Sequence, residues 1–71
     1  MEYKSTITKK NGSVSTNTIP GPNGLRLVKQ WSRKNSKVGD RICIEEIHGY
    51  NSDGYSEINT LYDYVVENFT T

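Results

Sequence analysis

The chain has 71 residues, a formal net charge of +1 and 32% apolar residues, with no alanine among them. That length fits one small domain, residues 1–71 with no linker to a second, and such a chain buries only about 60% of the surface its unfolded form exposes. One cysteine excludes an intrachain disulfide, and the N-terminus runs into polar residues without an apolar signal segment. No apolar run approaches the ~20 residues of a membrane helix, so a reducing, cytoplasmic setting away from the membrane is the expectation.

Charge is split along the sequence. All nine bases lie at or before Arg41, opposed there only by Glu2 and Asp40, a net of +7. From Ile42 onward six acids stand without a base, a net of −6. Functionally, the basic half reads as a polyanion-binding face or the acidic half as an imitation of a polyanion, and a further option is self-association of the basic patch of one copy with the acidic patch of the next. The plainer account is two layers whose opposite charges neutralise one another.

Taken in chain order, Glu2–Lys9 alternates as a strand, with Tyr3, Ser5 and Ile7 on one face. Asn11-Gly12 is a hairpin signal, because both residues tolerate positive φ, and Val14–Ile19 returns as a Thr- and Ser-rich strand at an edge. Pro20–Gly24 is an internal loop with two prolines and two glycines. The segment Leu25–Lys34 reads as strand when Leu25, Leu27, Lys29 and Trp31 are grouped, and as helix when Leu27, Val28 and Trp31 are; the alternation is preferred here. Asn35–Asp40 is a turn, and Arg41–His48, with Ile42, Cys43, Ile44 and Ile47, is the central strand.

Gly49–Gly54 is a polar turn. Beyond it, Ile58, Leu61, Tyr62, Val65, Val66 and Phe69 recur at helical spacing, with Asn59, Thr60, Asp63, Tyr64, Glu67 and Asn68 opposite them. Ser56 is placed to cap this helix. The expected fold class is therefore α+β: a short antiparallel sheet of about four strands with one C-terminal helix packed on one face, β-β-β-β-α.

Chemistry is scarce. Cys43 and His48 are the only residues of their kinds and an odd spacing apart on a predicted strand, hence on opposite faces. Neither a zinc site nor a Cys–His nucleophile pair is built from them. Asn51–Gly54 resembles part of a calcium loop, but Gly49 and Thr60 stand where carboxylates are needed. Glu45 and Glu46 are neighbours and point apart, and no phosphate-binding glycine motif is present. No cofactor, no metal and no catalysis are expected.

Two surfaces remain. The first is a partner-binding set, Tyr50, Tyr55, Asp63, Tyr64 and Glu67, since tyrosine offers contact area with a polar tip. The second is a polyanion-binding set, Arg26, Lys29, Arg33, Lys34 and Lys37 around Trp31. In size, polar composition and lack of catalytic residues the chain resembles small phage- or mobile-element-encoded proteins that inhibit or redirect a host factor, although no motif carries that likeness. The leading expectation is a non-enzymatic binding or inhibitor protein docking on a protein partner. Its rivals are a nucleic-acid-binding module using the basic segment, and a homo-oligomer holding a small anionic ligand between basic patches.

Overall fold

The computed structural model describes residues 1–50 and 56–67, with the backbone alone for Tyr50 and Ser56. Its elements are β1 (Glu2–Thr8), β2 (Val14–Pro20), α1 (Gly24–Asn35), β3 (Arg41–Tyr50) and β4 (Ser56–Val65). All strands pair antiparallel in the order β2-β1-β3-β4. A four-stranded antiparallel sheet with one helix was expected, but the helix is not C-terminal: it lies between the second and third strands, giving β-β-α-β-β.

Two segments exchange roles relative to the sequence reading. Residues 25–34 are helical because the inward stripe is Gly24, Leu25, Val28, Trp31 and Ser32, spaced at three and four residues. Two of these, Gly24 and Ser32, are buried without being large and apolar, so the stripe is inconspicuous in the sequence, and Leu27 is an exposed residue that mimics alternation.

Residues 56–65 are a strand because five of the ten are β-branched or aromatic and pair along the apolar β3. A register shift between Ile44 and Glu45 leaves Leu61 as one extra residue in β4. That bulge shifts the alternation by one residue, so Asn59, Tyr62 and Tyr64 face the helix while Ile58, Thr60, Asp63 and Val65 face away, and the apolar residues at spacings of three and four belong to different faces. The alternation is also weakly enforced, because β4 is an edge strand with exposed residues on both faces.

The first hairpin forms where Asn11-Gly12 places it, with a different turn. The Lys9 N–H donates to the Ser13 carbonyl at 2.7 Å and the Gly12 N–H to the Lys9 carbonyl at 2.9 Å. Only Gly12 has positive φ, at 91°, so this is a three-residue loop ending in a left-handed glycine.

The core is Ile7, Val28, Ile42, Ile44 and Val66, flanked by Tyr3, Ile19, Leu25 and Trp31. It holds two buried serines where the helix crosses β1: the hydroxyls of Ser5 and Ser32 hydrogen-bond each other, and Ser32 also donates to the Val28 carbonyl at 2.7 Å. Small side chains at these positions let the helix sit close to the sheet. Gly24 sets the same approach at the other end, because a Cβ there would lie 2.4 Å from the Ile19 carbonyl oxygen and 2.8 Å from the Tyr3 ring.

Gly24→Ala is accordingly expected to destabilise the fold by about 1–3 kcal/mol, as overpacking against backbone does. Gly49→Ala, whose Cβ would meet nothing within 4 Å, is expected to cost much less. Urea unfolding of the two variants checks the difference.

Candidate functional site

The fold sets eight of the nine bases in two groups, and Lys10 is exposed in the first hairpin turn, outside both. The three on the sheet and its end face acids. The Arg41 guanidinium donates to both oxygens of Asp63 at 2.9 and 2.8 Å, and Lys4 stands opposite Glu45 in the ladder. Lys9 donates to the Asp40 carboxylate at 3.0 Å and to the Asn35 carbonyl at 2.6 Å. The remaining side-chain contact to an acid, Glu46 with His48 at 2.5 Å, involves no lysine or arginine.

The second group is on and just after α1. Arg26, Lys29, Arg33, Lys34 and Lys37 are all exposed, and none has an ion-pair partner among the described residues. The helix carries no acid. Arg33 and Lys34 in its last turn suit the negative end of the helix dipole. A shallow groove of about 330 Å³ runs along the helix, bordered by Leu25, Arg26, Lys29, Gln30 and Arg33.

Trp31, grouped with these cations from sequence, packs partly against the core. Helical geometry puts it on the flank opposite Lys29. The Lys29 flank faces β4, where the ammonium lies 4.9 Å from the centre of the Tyr62 ring and 3.5 Å from its hydroxyl.

The acidic, tyrosine-bearing set is dispersed. Asp63 and Tyr64 are adjacent on a strand and therefore on opposite faces. Tyr64, opposite Ile42, shares the helix side of the sheet with Tyr62, which is opposite Ile44. Asp63 faces away and is held by Arg41. Glu67 is exposed just past β4, Tyr55 lies outside the described residues, and of Tyr50 only the backbone is described. Asn51–Gly54 also lies outside them. Tyr62, assigned to a core stripe from sequence, is instead 39% exposed beside Lys29. Its spacing of two from Tyr64 was the available signal.

Among the described residues no group of three or more His, Cys, Asp or Glu is placed to hold a metal, and no helix is long and apolar enough to cross a membrane. His48 is held by Glu46 and lies 3.3 Å from the Asn59 amide. Cys43 is half-buried on the face away from the helix, and burial, with Glu45 and Asp63 nearby, pushes its thiol pKa up, which disfavours the nucleophilic thiolate.

Comparison with protein-family models, curated proteins and solved structures finds no match to the chain. The functional reading therefore rests on its own geometry.

The loop after the helix keeps this surface in register with the sheet. The buried Asp40 carboxylate accepts from the Lys37 N–H at 2.8 Å as well as from Lys9. The Gly39 N–H donates to the Val66 carbonyl and the Val66 N–H to the Asp40 carbonyl, each at 2.8 Å. The Lys37 N–H, then Lys9, hold the Asp40 carboxyl below its ordinary 3.8 despite burial. The ionised form thus favours folding: its contribution is complete above 3.8 and is lost as pH falls through the lower folded value. Asp40→Asn is expected to lower the urea midpoint at neutral pH, and its difference from the wild type is expected to shrink as pH is taken well below 3.8.

Proposed function

We propose that the chain is a binding protein, without catalysis, whose helix α1 engages nucleic acid through its phosphates. The observation that carries this reading is the group of five exposed cations, Arg26, Lys29, Arg33, Lys34 and Lys37, on and just after a helix that has no acid, three of which, Arg26, Lys29 and Arg33, border one groove. Lys9 and Arg41 are each tied to an acid, Asp40 and Asp63, whereas no cation of the helix has an ion-pair partner among the described residues. Their field therefore reaches solvent undiminished by local pairing. A net charge of only +1 for the whole chain does not weaken this, because affinity for phosphates follows the local patch.

Docking of a protein partner through Asp63 and Tyr64 has less support, since the two side chains lie on opposite faces and Asp63 is tied to Arg41. An inhibitor of host-factor type is compatible with nucleic-acid binding but adds nothing to it.

Phosphate binding predicts a steep salt dependence. Engagement of four or five phosphates gives a log–log slope of about −3 to −3.5 on single strands. Fluorescence anisotropy of a labelled oligonucleotide across a salt series measures it, with the double charge reversal Arg26→Glu/Arg33→Glu expected to abolish binding. A flat salt response, or unchanged affinity in that variant, contradicts the reading.

A further inference from the structure

We infer that the nucleic acid is single-stranded, with bases laid on Tyr62 and Tyr64 while the adjoining phosphates meet Lys29 and Arg33. This rests on the phosphate-binding reading of α1 and specifies its ligand.

The helix seats itself over β1 and β2 and touches β3 at its near edge, so β4 lies beyond it and is reached by the Lys29 side chain. That leaves Tyr62 and Tyr64 on the helix side of the sheet with 39% and 44% of their surface exposed. Two exposed aromatic rings on one face of one strand, beside Lys29 and Arg33, make a stacking platform next to a phosphate track once a phosphate draws the Lys29 ammonium off the Tyr62 ring.

The two rows run in step. The helix begins beside Tyr3 and Ile19 and ends where Lys9 reaches the Asn35 carbonyl, so it runs in the same sense as β1. Strand β4 runs in that sense too, since β1 and β4 are each antiparallel to β3. Tyr64 therefore follows Tyr62 in the direction in which Arg33 follows Lys29. One step of the rings is about 6.8 Å, two residues of antiparallel strand. One step of the cations is about 6 Å, four residues of helix.

That spacing selects the form of the ligand. Bases within a duplex strand are about 3.4 Å apart. Consecutive bases resting on two rings about 6.8 Å apart must be pulled out of contact with each other, which a single strand allows and a duplex does not. Charge supports the same face. Asp63, between the two tyrosines in sequence, points the other way into its pair with Arg41. Two acids share the helix side: Glu46, one step along β3 from Tyr62's partner Ile44 and in contact with His48, and Glu57, at the far end of β4; neither lies beyond Tyr62 on the Tyr64 side, where Arg33 follows Lys29.

The test compares a short labelled oligothymidylate with a duplex of equal length, at low salt, on the full chain. The single strand is expected to bind more tightly. Tyr62→Ala and Tyr64→Ala are each expected to weaken it by about 5- to 150-fold while leaving duplex binding unchanged. Phe at either position is expected to restore affinity, and Leu, which keeps the apolar bulk in case Ala unfolds the edge, is not. Equal affinity for both forms, or no loss in the Ala and Leu variants while Arg26→Glu/Arg33→Glu abolishes binding, would overturn the single-strand inference and leave the helix reading standing. Failure of the wild type to bind either form would overturn both.

Discussion

Everything distinctive about this surface depends on how closely α1 lies on β1. Gly24 abuts the Ile19 carbonyl at the start of the helix, and the Ser5–Ser32 hydroxyl pair joins helix to sheet two turns later. Three positions that are small, buried and satisfied replace what would otherwise be thicker apolar packing. With so few large apolar residues, the chain gains packing density by approach rather than by bulk. The consequence is lateral: a helix held to β1 and β2 leaves β4 uncovered, and with it the two tyrosines.

The segregation of charge along the sequence has a spatial resolution. The acidic C-terminal half supplies β3 and β4, and its acids meet the bases of the sheet, Lys4 opposite Glu45 and Arg41 bound to Asp63. Lys9 is taken up by Asp40 in the loop that ties helix, β1 and β4 together. The helix receives no such partner among the described residues, so most of the excess of the basic half, Lys10 in the hairpin turn aside, lies on it and just past its end. Edge strand β4 carries its own protection. A bulge at Leu61 and the acids Glu57 and Asp63 interrupt the regular ladder that another chain would need.

The sheet was largely legible in the sequence. Alternation in Tyr3, Ser5 and Ile7, the Asn11-Gly12 hairpin and the apolar run around Ile44 each mark a strand that exists. The helix was not, because its buried stripe includes Gly24 and Ser32, which carry no hydrophobic signal, while exposed Leu27 supplies a false alternation. Strand β4 reads as a helix because its apolar residues, at spacings of three and four, are spread over both faces of an exposed edge strand that a bulge interrupts. The five helix cations were visible as a group. Their neighbourhood with Tyr62 was not, since it is created by strands far apart in sequence.

The most direct test of the central claim, that helix cations and β4 tyrosines form one surface, is a map of amide and aromatic-ring resonances during titration with a short single strand. Lys29, Arg33, Tyr62 and Tyr64 are predicted to shift together and saturate at one ligand concentration, while the Trp31 indole on the opposite flank and Thr6 and Cys43 on the other face of the sheet stay in place. Shifts confined to the helix, or centred on Thr6 and Cys43, would contradict it.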